Sequence, residues 1–272
     1  MTAPDPGLSV HRAGSGPPLV LLHGFTGSWR AWRPVIDGLA AHHAVFAPTL
    51  PGHHGSAPLA DDFPGTVEAM LDLLEAQLDA EGIDRAHLVG NSLGGWLALE
   101  LGRRGRALSV VALSPAGGWS SPRDLHRVVR LMRGGRLAME RLGPRLGPLL
   151  RRPRFRKLLL RSVAEHGDRI PPGEVQELLD EALGCLVFDD LLRFIAGSDG
   201  LAAGAASDYP IRIAWSGNDR TIPLERYGRP LVANVPGAEL VVLPGVGHVP
   251  MFDDPALVVR TILEVSTAAQ VA

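Results

Sequence analysis

Ser92 stands in Gly90-Asn91-Ser92-Leu93-Gly94, between an apolar run, Ala86-His87-Leu88-Val89, and a helix-like segment, Trp96-Leu97-Ala98-Leu99-Glu100-Leu101. Strand, tight turn and helix in that order are the setting in which a G-x-S-x-G serine is held out on a strained turn with its hydroxyl exposed. The residues two places either side of such a serine come too close together to carry side chains, which accounts for Gly90 and Gly94. Gly95 then lets the following helix pack closely. Taken alone, the pentapeptide also fits an ordinary glycine-rich turn.

A serine hydroxyl is a weak nucleophile near neutral pH; it needs a base, and the base needs an orienting acid. Asp219 follows Trp215-Ser216-Gly217-Asn218 at the end of one strand-like run, and His248 lies in the Pro244–Pro250 loop after the next. Both fall at the carboxyl ends of strands, the same edge as Ser92. Asp219 equally fits a turn-former or helix N-cap ahead of Arg220-Thr221-Ile222-Pro223. His248 is one of ten histidines and is alone in lying beyond the last strand. Acyl chemistry also asks for two backbone N–H groups aimed at the developing oxyanion. One falls to Leu93, at the start of its helix. The other falls to Phe25, in the His23-Gly24-Phe25-Thr26-Gly27-Ser28 loop, where Gly24 frees the backbone to turn. A plain strand-to-helix loop capped by Ser28 fits the same stretch, and His23 reads as a hydrogen-bonding brace for it.

These residues need a scaffold, and the flanking pattern describes one. Strands are expected at Leu8–Arg12, Leu19–His23, Ala44–Leu50, Ala86–Gly90 and Leu108–Ser114, with helices at about 29–41, 66–82 and 94–104. Short apolar runs alternating with amphipathic segments argue for βαβ crossovers and a parallel sheet. The rhythm breaks at Gly117-Gly118. From Trp119 to about Ser207 only helical patterns occur, at Pro122–Arg133, Leu137–Leu142, Arg154–Glu165, Glu174–Phe188 and Asp190–Ala196. The sheet pattern resumes at Ile211–Trp215, followed by a helix near 224–234, a strand at Leu240–Leu243 and a helix at 255–268.

Composition sets the bounds. The 272 residues are 46% hydrophobic and 21% charged, as expected of a globular chain with a sizeable core. A net charge of −2 gives no overall bias toward nucleic acid or an acidic surface. Cys185 is the single cysteine, so an intrachain disulfide and a cysteine-rich metal site are both excluded. Met1–Gly7 has neither a basic nor an apolar leader segment, and no apolar run reaches membrane-spanning length. A cytoplasmic protein without a membrane span is expected, acting on a small molecule; its oligomeric state is open.

Together these residues resemble the α/β-hydrolase superfamily over nearly the whole chain. The resemblance rests on His23-Gly24-Phe25, Pro51-Gly52-His53-His54-Gly55-Ser56, Gly90-Asn91-Ser92-Leu93-Gly94-Gly95, Gly217-Asn218-Asp219 and Gly247-His248, in the family's order. It implies an α/β fold with a mostly parallel central sheet of about seven strands flanked by helices. A core from 1–117 and 208–272 would carry an all-helical cap at 118–207. It also implies a catalytic triad of Ser92, Asp219 and His248 that requires no cofactor and no metal. Some members place the acid after the strand that here ends at Ser114, but Ser114-Pro115-Ala116 offers no carboxylate. Thr49 departs from the family's usual aspartate before Leu-Pro-Gly, and Asp253 and Asp254 read as caps of the last helix.

Serine at position 92 separates this chain from family members that attack through aspartate, the dehalogenases and epoxide hydrolases. The expected chemistry is cleavage of a carboxylic ester, thioester or lactone of a small, mainly apolar substrate through an acyl-enzyme. Hydrolysis of a carbon–carbon bond in a vinylogous diketone is the alternative, since such relatives often carry Gly-Asn-Ser at the turn. A non-catalytic binding protein is the third reading. Trp119, Phe188 and Leu192 are candidates to line the substrate pocket, against ordinary cap-to-core packing. The Arg151–Arg161 run reads first as a solvated helix face, with an anionic substrate or membrane as the alternative.

Overall fold

The computed structural model describes residues 9–269 apart from Pro58 and Asp61, so Leu8 and the Met1–Gly7 segment lie outside the described residues. Its centre is a seven-stranded sheet: β1 (Val10–Ala13), β2 (Pro18–Leu22), β3 (Ala44–Pro48), β4 (Ala86–Asn91), β5 (Ala107–Leu113), β6 (Ile211–Ser216) and β7 (Glu239–Leu243). The strands lie in the order β1-β3-β2-β4-β5-β6-β7. Only the β1–β3 pairing is antiparallel; every other pair is parallel. The α/β class and the mostly parallel seven-stranded sheet expected from sequence are both present.

The central strands are apolar at consecutive positions because both faces are covered. In β2, Leu19 and Leu21 join the core under α1 (Arg33–Ala40) and α9 (Pro255–Ala268). Val20 and Leu22 face the other way, toward α2 (Val67–Ala80) and α3 (Leu93–Arg103). The expected helix at 29–41 begins as a 3-10 turn over Trp29–Trp32, and the one near 224–234 is a π turn (Leu224–Gly228) leading into α8 (Arg229–Ala233).

Between β5 and β6 the chain forms α4 (Pro122–Leu150), α5 (Pro153–Leu159), α6 (Pro172–Gly184) and α7 (Phe188–Gly197). Three expectations change here, the first being that the Glu174–Phe188 helix ends at Gly184 and Phe188 opens the next one. The separate helices at Pro122–Arg133 and Leu137–Leu142 are one helix that runs through Gly134-Gly135 and Gly147-Pro148. Leu146 and Leu150 of α4 pack with Val175 and Leu179 of α6, and this burial outweighs the poor helix propensity of glycine and proline. The Arg154–Glu165 helix stops at Leu159, and the chain then turns back toward the core. Among the described residues no helix is long and apolar enough to cross a membrane.

Candidate active site

Ser92 links β4 to α3 with φ 56° and ψ −115°, a conformation that L-residues rarely adopt. The glycines around it are there for steric reasons. A Cβ on Gly90 would run into the Gly94 carbonyl, one on Gly94 into the Leu22 and His23 carbonyls, and one on Gly95 would lie 2.9 Å from Pro115 Cβ. The Ser92 N–H donates to the Leu113 carbonyl at 3.0 Å, and its own carbonyl accepts from Ala116 at 2.9 Å. The turn is therefore tied to the end of β5 on both sides.

Asp219 leaves β6 into a short turn and uses its two oxygens differently. Oδ1 accepts from the Thr221 and Ile222 amides at 2.9 and 2.8 Å, so the turn-forming reading is correct as far as it goes. Oδ2 lies 2.7 Å from His248 Nδ1, with both side chains buried. A carboxylate there places the imidazole hydrogen on Nδ1 and leaves Nε2 as the acceptor. No hydrogen bond joins Ser92 Oγ to His248 among the described residues; such bonds commonly tighten only with substrate present. The elbow and the histidine loop are nonetheless joined. Asn91 Nδ2 donates to the His248 carbonyl at 2.9 Å and to the Leu113 carbonyl at 3.1 Å.

Where the rival acid would stand, Ser114 instead accepts the Ser216 amide on its Oγ at 3.1 Å and braces the end of β6. The Phe25 loop lies against the elbow: a Cβ on Gly24 would meet Ser92 Cβ at 3.3 Å. Neither the Phe25 nor the Leu93 N–H has a protein acceptor among the described residues. His23 braces this loop as expected. Its Nε2 accepts the Leu50 amide at 2.8 Å, and its Nδ1 donates to the Gly24 carbonyl at 2.8 Å. Full burial holds His23 well below the usual histidine range, and burial likewise pushes the neighbouring His53 down to about 4. Both imidazoles are therefore neutral at physiological pH.

The three pocket candidates have different surroundings. Phe188 stacks on Phe25 at 5.2 Å between ring centres, directly over the loop beside Ser92. Leu192 is buried in the core shared by the sheet and the helical insert. Trp119 turns to Trp96 and donates from its indole nitrogen to the Ser198 carbonyl at 2.9 Å, an anchoring arrangement.

Asp253 is not a cap of the last helix. Asp254 alone caps α9, by accepting the Leu257 amide, whereas Asp253 accepts the Gly247, Glu165 and His166 amides at 2.7–2.9 Å. It ties the insert to the loop that carries His248. Ser28 likewise does more than cap. It accepts the Arg30 amide and donates 2.6 Å to Glu181 of α6. Nothing local in the sequence marks Asn91, Asp253 or Glu181 for these contacts.

A mostly parallel sheet with a strained serine between strand and helix, and an Asp–His pair in the loops after the last two strands, defines the α/β-hydrolase fold. The sequence profile of the alpha/beta hydrolase family matches residues 19–261, and the chain belongs to that family. Among its relatives is the epoxide hydrolase EphH of Mycobacterium tuberculosis, 36% identical over 198 residues, covering 71% of this chain and 91% of the relative. A 2-hydroxy-6-oxo-6-phenylhexa-2,4-dienoate hydrolase of Burkholderia cepacia is 29% identical over 271 residues, covering 91% of this chain and 88% of the relative. A thermophilic esterase from Thermogutta terrifontis superposes with a TM-score of 0.70 over 96% of this chain and 93% of its own, at 20% identity, a likeness of fold alone.

Proposed function

We propose that this chain is a cofactor-free serine hydrolase that cleaves a carboxylic ester, or a thioester or lactone, of a small and mainly apolar molecule. The observation that carries the reading is the 2.7 Å contact between His248 Nδ1 and buried Asp219, on a loop tied by Asn91 to the elbow of Ser92. In this mechanism His248 Nε2 takes the proton of Ser92 Oγ as that oxygen attacks the acyl carbon. The Phe25 and Leu93 amides receive the oxyanion, each contributing a few kcal/mol at the transition state. Collapse of the tetrahedral intermediate expels the alcohol or thiol, protonated by His248, and water activated by the same imidazole releases the acid. Asp219 stabilises the imidazolium that forms in each half-reaction. Residues 118–207 act as the cap over this site, and the Phe188–Phe25 stack supports an apolar acyl or alcohol pocket beneath it.

Serine chemistry argues against carrying the EphH activity over to this chain. An epoxide opened by Ser92 would leave an ether on the enzyme, with no carbonyl for water to attack, and turnover would stop. Carbon–carbon hydrolysis of a vinylogous diketone is the second reading, favoured by the Burkholderia relative that aligns over nearly the whole chain. A fluorophosphonate probe is expected to label wild-type protein and not Ser92→Ala. A folded wild-type chain that takes no label would establish the non-catalytic alternative. A panel of p-nitrophenyl esters of increasing chain length, with one thioester and one vinylogous 1,5-diketone, then separates the chemistries. Diketone turnover with weak esterase activity would replace the first reading by the second.

A further inference from the structure

The near-zero net charge conceals a strong segregation. Residues 122–161, which form α4, α5 and the turn after them, hold thirteen arginines and lysines against two acids, Asp124 and Glu140. Outside this stretch basic side chains are mostly matched. Arg104 pairs with Asp72 and Glu75, Arg106 with Asp79, and Arg212 with Glu239 and Glu264. Within it, Arg154, Lys157 and Arg161 are exposed and make no ion pair among the described residues. A solvated face of the ordinary kind is laced with acids at i±3 and i±4. This one is not.

The unpaired cations are also arranged. Arg154, Lys157 and Leu158 share one side of α5 by helical spacing, and Arg161 follows in the turn. With Glu165 and Arg220 they line a shallow basin of about 350 Å³. The one acid is already paired, with Arg220 at 2.8 Å. Leu158, at the centre of these charges, is 62% exposed, an apolar side chain left largely uncovered by the described residues. The opposite side of α5 is fixed: Arg156 is buried and donates to the Leu150 and Asp168 carbonyls at 2.7 Å. Along α4, Arg123, Arg130 and Arg141 lie on the stripe facing away from buried Leu125, Val129 and Leu150, and Leu137 is exposed among them. Their field extends the attraction beyond the basin.

We propose that the α5 face docks this protein on an anionic lipid surface. Arg154, Lys157, Arg161 and Arg220 meet headgroup phosphates while Leu158 enters the acyl boundary. Unpaired cations and an exposed leucine on one short helix and the turn after it match an interface that is anionic at the surface and apolar a few ångströms below. A soluble phosphate or nucleic acid would have no use for Leu158. The proposal concerns binding and stands independently of the reaction at Ser92.

The test is co-sedimentation of the full chain with phosphatidylcholine vesicles, with and without about 30% phosphatidylglycerol, an anionic fraction that sets up an appreciable surface potential. The protein is expected to sediment with the anionic vesicles, to remain in solution with the neutral ones, and to be released by high salt. Arg154→Gln/Lys157→Gln/Arg161→Gln should lower the partition coefficient about 100-fold, since each basic residue at such a surface contributes about fivefold. Leu158→Ser should lower it several-fold with the charge unchanged. All four positions are exposed, and an unchanged Tm would establish that these variants are folded. Failure to sediment with anionic vesicles overturns the proposal, as does a folded triple variant that binds like wild type. Equal binding by Leu158→Ser would overturn the entry of Leu158 into the acyl boundary, and capture by an acidic protein without vesicle binding would assign the face to a soluble polyanionic partner instead.

Discussion

Ser92 is held in a backbone state that costs roughly 1–3 kcal/mol, and the Leu113 and Ala116 hydrogen bonds on either side prevent it from relaxing. Glycine tolerates φ 56° and alanine does not, so Ser92→Gly should be more stable than Ser92→Ala by about 1 kcal/mol although both remove the hydroxyl. In a chain of this size that is a Tm difference of about 2–4 °C, readable by calorimetry. A Tm for the glycine variant at or below that of the alanine variant would mean that the elbow stores no strain. Much of this residue-scale picture was legible in the sequence. Ser92, Asp219 and His248 each sit at a strand end, with glycines that a local backbone demand explains. Asn91 was not legible in this way. Its value lies in a carbonyl 157 positions further along the chain, and no spacing rule reaches that far.

At the scale of elements, α6 is joined to the loop beside Ser92 through a buried carboxyl. Glu181 is 1% exposed, its Oε1 accepts from Ser28, and its Oε2 has no partner among the described residues. Burial pushes its pKa up to about 7 despite the Ser28 hydrogen bond and Arg30 at 3.9 Å. Glu177 adds to the rise and Arg33 opposes it. Between about pH 4.5 and 7 the folded chain therefore keeps a proton that the unfolded chain has released. Stability falls as pH rises through that window, by about 3 kcal/mol in all. Glu181→Gln keeps an oxygen for Ser28 and cannot ionise, so its urea midpoint should lose this slope between pH 5 and 8. A wild-type slope retained in the variant would place the titration elsewhere. The same helices show where sequence reasoning stops. Gly134-Gly135 and Gly147-Pro148 read as breaks because propensity is local, whereas the continuity of α4 draws on Val175 and Leu179 of α6, which meet it only in the folded chain.

For the molecule as a whole, the insert is bolted to the core next to the site at several points. The Leu186 and Val187 amides donate to the Gly52 carbonyl, the Val249 amide donates to the Val163 carbonyl, and Asp253 holds the Gly247, Glu165 and His166 amides together. The largest core cluster runs without a break from the sheet into Leu125, Phe188 and Leu192 of the insert. Sheet and insert should therefore unfold as one cooperative unit, with far-UV dichroism, dominated by helices, and tryptophan fluorescence giving coincident melting curves. Two separated transitions in the wild-type chain would reject this coupling. Asp253→Asn sharpens the test, because it preserves shape while turning one acceptor oxygen into a donor that faces a backbone N–H. With about 2 kcal/mol lost from a charge-assisted, part-buried hydrogen bond, the single transition should move down by about 4–8 °C and stay single. Asp253 touches no reacting atom, and its effect on turnover has to pass through the position of His248. kcat on the best ester of the panel should therefore fall about tenfold or more at a temperature where the variant is fully folded, while KM changes little. A variant that loses stability but keeps its kcat would make Asp253 a fastener of the insert alone.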